Sequence, residues 1–196
     1  MSFIFPEEGD SYVTLKSVQG ITLQNFTICL RCFTNLFKQY ALFSSATKDQ
    51  DRDIVIYKRY TGRGEYPQYV VCIGGKEVVF RVPDSFLRWQ SSCVTWDSET
   101  GVITLWVDGY TLARRVVQKG YFIETNGLVI LGKYNFCSPY GSTATFFSGE
   151  IKDVYMWNVT ISVMDLTMTS WDSQSVSPII NWRDLQFEIT GNVTLI

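Results

Sequence analysis

Residues Ser91–Gly109, SSCVTWDSETGVITLWVDG, decide the fold of this chain. Cys93, Thr95 and Asp97 alternate with Val94, Trp96 and Ser98, the two-residue period of a strand with one buried face. Ser98-Glu99-Thr100-Gly101 then reverses the chain, Val102 to Val107 runs back out, and Asp108-Gly109 turns it again. The stretch predicts a β-hairpin with one apolar face and turn residues at both ends.

The same pattern repeats on either side. Tyr12 to Lys16, Ile21 to Thr34, Tyr40 to Ala46 and Asp53 to Tyr60 read as strands, rich in β-branched and aromatic residues. Gln68 to Ile73 and Lys76 to Val82 form a second hairpin across Gly74-Gly75, and Pro83-Asp84-Ser85 stops it. Thr111 to Gln118, Leu128 to Gly132, Phe146 to Trp157 and Phe187 to Leu195 follow as strands. Only Ser162 to Ser170, SVMDLTMTS, has helical spacing, with Val163 and Leu166, joined by Met164 and Met168, on one side and Ser162 placed as the N-cap. Many short strands, frequent turns and one short helix predict an all-β fold of two packed antiparallel sheets, and residues 1–196 read as a single domain.

Composition bounds the function. Hydrophobic residues make up 46% and aromatic residues 15%, enough for a full core and incompatible with disorder. Seventeen basic residues against 19 acidic ones leave a formal charge of −2, with no basic surplus for nucleic acid or an anionic membrane. No apolar run approaches the ~20 residues of a membrane-spanning helix. Histidine is absent, which removes the usual general base, pH switch and zinc ligand together. Three Asn-x-Thr sequons, at Asn25, Asn158 and Asn192, agree with a secretory route. Of the five cysteines, Cys29, Cys32, Cys72, Cys93 and Cys137, an odd number leaves one thiol over.

The hairpin also carries a resemblance. Cys93, polar Thr95, Trp96-Asp97-Ser98, a short turn and the strand end Trp106-Val107-Asp108-Gly109 resemble the signature of the pentraxins. The family has His two residues before the Cys, where this chain has Ser91. Phe3-Ile4-Phe5-Pro6, Ser11-Tyr12-Val13, Asn25 to Leu30, Ile130-Leu131-Gly132, Met156-Trp157 and Ser177 to Arg183 continue the likeness in family order along essentially the whole chain. The resemblance implies a flattened, lectin-like jelly-roll sandwich with one helix laid across a sheet. It implies a secreted, extracellular recognition protein of innate immunity, an acute-phase type that binds phosphocholine-like or carbohydrate ligands on microbial or damaged-cell surfaces. Assembly would be a cyclic homo-oligomer, a pentamer or another ring such as a trimer, recruiting the first component of complement or Fc receptors. Met1-Ser2-Phe3 opens directly on strand-like sequence, so export implies a leader already removed. By the same resemblance Cys29 and Cys93 form the family's disulfide, closing a loop of about 65 residues and contributing on the order of 4 kcal/mol on the chain-entropy view.

Family members bind two calcium ions, and calcium wants roughly six to eight oxygens converging from separate loops. Asp51 falls on a family ligand, but its neighbour is Arg52 instead of Asn. The second ligand loop, which in the family runs through Glu, an amide and Asp, here reads Tyr134, Asn135, Phe136, then Ser142 and Thr145. No acidic residue stands between Lys133 and Ser148, so Asp51 and Asn135 are the remaining metal candidates and calcium binding is expected to be weak or lost. A remodelled site from Asp49, Asp51 and Asp53 is the alternative.

Beside the metal position the resemblance places Tyr57, Cys72 and Glu77 as ligand-binding residues, an aromatic side and a carboxylate suited to a quaternary ammonium. Lys58 to Val71 is longer than the family segment by about five residues and brings three basic residues to that pocket. Cys72 and Cys137 are expected either to form a second disulfide clipping the ligand loop or to stand as separate thiols, with Cys32 free or pairing between subunits. On the opposite face Asp108 and Trp171 match effector-binding positions. Two other functions compete. One is a calcium-independent adhesion or assembly module on the same fold. The other is a glycosidase built on Asp49, Asp51 and Asp53, whose i, i+2, i+4 spacing shares one strand face but brings no partner acid.

Overall fold

The alternation of Ser91–Gly109 does what it predicts. In the computed structural model, which describes residues 1–16, 20–45, 53–62, 64–83, 87–125, 128–138 and 141–196, strands Gln90–Asp97 and Val102–Val107 pair antiparallel, with Trp106 opposite Cys93 and Leu105 opposite Val94. Asp108 and Gly109 both take positive φ, 48° and 90°, and turn Val107 onto Tyr110. Two consecutive positive φ values are what a tight hairpin turn with strand-matching twist requires, and Asp-Gly tolerates them.

Among the described residues two antiparallel sheets form the sandwich. The first has eight strands, with Val102–Val107, Gln90–Asp97, Asn25–Phe33, Gly149–Trp157, Phe3–Phe5 and Thr194–Leu195 adjacent in that order. The second has seven, ordered Phe187–Thr190, Tyr12–Lys16, Leu128–Leu131, Tyr40–Ser45, Ile54–Arg59, Gln68–Ile73 and Lys76–Arg81. Their inner faces meet in one apolar core containing Phe26, Ile28, Phe43, Ile56, Tyr69, Val94, Trp96 and Leu105. Trp96, 0% exposed, donates its indole N–H to the Val117 carbonyl at 3.0 Å, fastening the chain after the hairpin to the sheet edge. Tyr69 and Ser92 share a 2.8 Å hydrogen bond that joins the two sheets through the core.

Cys29 and Cys93 sit directly opposite one another in neighbouring strands and are disulfide-bonded across 64 residues of sequence. They face outward from the first sheet, on the side where the helix Val163–Met168 and the 3-10 turn Trp171–Ser173 lie. Ser162 caps the helix as expected, its Oγ accepting from the Asp165 N–H at 3.1 Å. Leu166 is the buried helical residue, whereas Met164 and Met168 are exposed.

Four sequence expectations change. Lys133–Ser138 and Gly141–Phe146, read as a ligand-bearing loop, pair as a regular hairpin, with Asn135 opposite Ala144. The run Thr111 to Gln118 breaks into Tyr110–Thr111 and Arg115–Val116, and Phe187 to Leu195 breaks at Gly191, whose φ of 79° turns the chain between its two short strands. Lys58 belongs to the interior: it lies between Tyr40 and Tyr69 in the strand register and is 0% exposed.

Candidate functional site

Alternation along Ile54–Arg59 sends Ile54, Ile56 and Lys58 inward and leaves Val55, Tyr57 and Arg59 on the outer face of the second sheet. The same rule on the next two strands puts Gln68, Val70 and Cys72 outward, and then Glu77, Val79 and Arg81, because Cys72 is opposite Glu77 and Val70 opposite Val79. The result is a small apolar cluster separate from the main core: Ala41, Val55, Tyr57, Val70 and Cys72, with Val79 at its margin. Tyr134, from the 133–146 hairpin, completes it. A side chain from the expected metal loop thus fills the sheet's outer surface with apolar contact. Asn135 is exposed on the same strand.

Polar groups converge above this floor. Tyr57 donates its hydroxyl proton to Glu77 Oε1 at 2.7 Å. Burial, reinforced by the hydrogen bond to Glu77, raises the Tyr57 phenol well above its ordinary range, so it stays a donor at any physiological pH. Arg59 reaches the same two residues, with Nη1 3.5 Å from Tyr57 Oη and 3.6 Å from Glu77 Oε2. Its Nε donates to Gln68 Oε1 at 2.9 Å, and its guanidinium lies 6.0 Å from the centre of the Tyr57 ring. The structure therefore brings Tyr57, Cys72 and Glu77 together on one sheet face. It adds Arg59 and Gln68, which the resemblance passed over although the alternation from Tyr57 to Arg59 placed them on that face.

Asp51 lies outside the described residues, as do Asp49 and Arg52. Asp53 is 1% exposed and accepts from Tyr121 Oη at 2.6 Å, so its carboxylate ties the 118–121 segment to the sheet end. Of the Asp49, Asp51 and Asp53 set on which a glycosidase would depend, Asp53 is the member among the described residues. Among the described residues no group of three His, Cys, Asp or Glu side chains could hold a metal ion. Cys137 occupies a hairpin position opposite Ser142, and its side chain lies outside the described ones. Cys32 is a buried free thiol facing the core, with no route to another subunit; burial raises its pKa, partly offset by the charge of Lys58.

The opposite face is organised around Arg31. Its Nε donates to Ser91 Oγ at 3.1 Å and its Nη1 to Asp153 Oδ2 at 2.6 Å, while its guanidinium lies 4.6 Å from the Trp171 ring centre. Asp153 has φ 53° at an irregularity between Lys152 and Tyr155, the extra residue that lets its carboxylate turn back to Arg31. Asp108 accepts the Ser91 N–H at 2.8 Å and lies 3.9 Å from Arg88. Both expected effector residues are thus engaged within the fold. Trp171 is only 6% exposed, with its indole N–H on the Leu166 carbonyl at 3.2 Å. A polar cavity of about 170 Å³ opens beside them, walled by Tyr155, Trp171, Asp172, Trp182 and Arg183.

The Pentaxin family model matches residues 1–196. The chain is 34% identical over 197 residues to the serum amyloid P-component of Cavia porcellus, covering 98% of this chain and 85% of that one. It is 36% identical over 196 residues to the C-reactive protein of Sus scrofa, with the same shares covered. A solved structure, the native heptameric SAP-like pentraxin from Limulus polyphemus, superposes with a TM-score of 0.81 over 98% of this chain and 93% of that one; at 17% identity this is a likeness of fold.

Proposed function

Because the chain belongs to the Pentaxin family, we propose that it is a secreted recognition protein of innate immunity that grips polar ligands on microbial or damaged-cell surfaces and performs no catalysis. Residues 1–196 act as one domain, since both sheets share one core. The observation that carries the reading is the Tyr57–Glu77 pair at 2.7 Å on the outer face of the second sheet, at the positions where family resemblance puts the ligand. Phosphocholine-like or carbohydrate groups are the ligand classes. The face of the first sheet that bears Asp108, Arg31 and Trp171 is left for complement or Fc receptors.

Weak single sites reach useful affinity by repetition. A cyclic homo-oligomer, pentamer or other ring, multiplies weak sites without new contacts. The SAP-like relative from Limulus polyphemus is heptameric, which supports a ring and leaves its size to measurement. The described donors alone fall short of a calcium site: of the expected ligands they include Asn135 and the buried Asp53, Asp49 and Asp51 lie outside them, and a calcium ion asks for about six to eight oxygens. Recognition here is calcium-independent or only weakly helped by calcium. The Cys72–Cys137 bridge belongs to the same proposal, as a covalent substitute for metal in fixing the hairpin, and a non-reducing peptide map decides it.

Mass photometry of the purified chain and binding to phospholipid and glycan arrays, each with calcium and with EDTA, test the reading together. The expected result is a closed ring whose array signal survives EDTA. A monodisperse single subunit overturns the assembly, and arrays silent in both conditions favour the adhesion-module alternative. A micromolar calcium isotherm overturns the metal claim.

A further inference from the structure

An aromatic ring beside a carboxylate attracts a cation, by the ring's quadrupole and by direct charge. Tyr57 and Glu77 form such a seat, and the seat already holds a cation. Arg59 Nη1 lies 3.6 Å from Glu77 Oε2 and 3.5 Å from Tyr57 Oη, and Gln68 holds Nε at 2.9 Å. Tyr57 is only 2% exposed, so a solute cation cannot reach its ring without displacing what lies over it.

We propose that Arg59 is the specificity-determining residue of this site: a tethered guanidinium occupies the Tyr57–Glu77 seat and excludes quaternary ammonium ligands. The inference rests on the recognition reading above and narrows its ligand classes, because choline-type headgroups are refused and uncharged hydroxyl-rich groups are left. A tethered cation competes at high local concentration, so a free one succeeds only where it gains more than the arginine does. Two features favour the arginine. Its planar fork serves Glu77, Tyr57 and Gln68 at once, and its side chain keeps about a third of its surface in water, so little hydration is lost. A tetraalkylammonium has no N–H to offer Glu77 or Gln68 and gains charge attraction alone.

The test is titration of the full chain with tetramethylammonium chloride and with phosphocholine in EDTA, read by calorimetry and by tyrosine fluorescence. The proteins are the wild type, Arg59→Gln, Arg59→Ser and Arg59→Ser with Glu77→Gln. Arg59→Gln keeps the stem and a planar head, so it serves if the serine variant folds poorly. Both single variants are expected to bind tetramethylammonium at least ~10-fold more tightly than the wild type, a gain within the range of one desolvated cation–aromatic contact. The double variant is expected to lose that gain. Equal binding by wild type and single variants, or a gain that persists without Glu77, overturns the proposal. The small cation needs no surface ligand, so this comparison fails separately from the recognition reading, whose failure is a silent array.

Discussion

Arg31 Nε donates to Ser91 Oγ at 3.1 Å across the seam between the Asn25–Phe33 and Gln90–Asp97 strands. Ser91 is the position where family resemblance expects histidine. Here its hydroxyl takes Arg31 while its N–H goes to Asp108, so the departure from the signature is absorbed into a chain of contacts running from Asp108 to Trp171. The Arg31–Asp153 pair is partly solvated, with side chains 42% and 25% exposed, which discounts its charge energy. Arg31→Ala should therefore cost only about 1–2 kcal/mol, most of it from the Trp171 stacking and the stranded Asp153. Differential scanning calorimetry should show a Tm lower by roughly 2–8 °C. Tryptophan emission should shift to the red as Trp171 loosens, and an unchanged spectrum would count against the clamp.

The disulfide deserves its own measurement, because Cys29 and Cys93 are cross-strand partners in a sheet held by many other contacts. Its effect falls on the unfolded chain, where 64 residues lose freedom. Cys29→Ala with Cys93→Ala is expected to lower stability by about 4 kcal/mol in urea titration, with the fold retained. A loss under ~1 kcal/mol would mean that the reduced unfolded state is already compact.

How far the sequence carried can be judged at particular residues. Tyr12–Lys16 and Gln68–Ile73 were legible to the residue, since β-branched and aromatic side chains ended at clear turn signals. The 133–146 hairpin was missed because its Ser, Thr, Gly and Asn content looks like loop, and resemblance supplied a ligand-loop expectation in its place. Among the hairpin's described side chains Tyr134 betrays its packing, and burial of a Tyr is not visible without its partners Val55 and Cys72. Lys58 misled for a related reason: a lysine next to an arginine reads as surface, yet strict alternation from Ile54 and Ile56 commits it to the interior. That Tyr57, Cys72 and Glu77 share one face could be read from resemblance and alternation, whereas the contact of Arg59 with Glu77 reaches across two strands and no local pattern encodes it.

The sequons separate by structure. Asn158 and Asn192 are exposed, and so are Thr160 and Thr194 behind them. Asn25 is half-buried in a central strand; with its amide nitrogen toward them it donates to Gln24 O and Asp97 Oδ1, each at 2.7 Å. Thr27 behind it is buried, with its hydroxyl on the Val159 carbonyl at 2.7 Å. Secreted from a glycosylating host, the chain should carry glycans at Asn158 or Asn192 and none at Asn25, as read by peptide mapping after glycosidase treatment. Asn158→Gln should leave Tm within about 1–2 °C, whereas Asn25→Ala should cost roughly 1 kcal/mol from the lost amide contacts.

Alkaline pH tests the polar bridge through the core. Tyr69 and Tyr40 are buried, and burial raises both phenols above the ordinary tyrosine value near 10. A folded-state pKa above the unfolded one gives stability that is complete below about pH 10 and drains as pH climbs from the unfolded value toward the folded one. Tyr69→Phe breaks the 2.8 Å bond to Ser92 and should cost about 1–2 kcal/mol at pH 7. It also removes one of the protons whose loss unfolds the chain, so its disadvantage should shrink at about pH 11. Urea midpoints of wild type and variant at the two pH values give the comparison. A gap that stays constant would mean the Tyr69 phenol ionises as readily in the folded chain as in the unfolded one, contrary to its burial between the sheets.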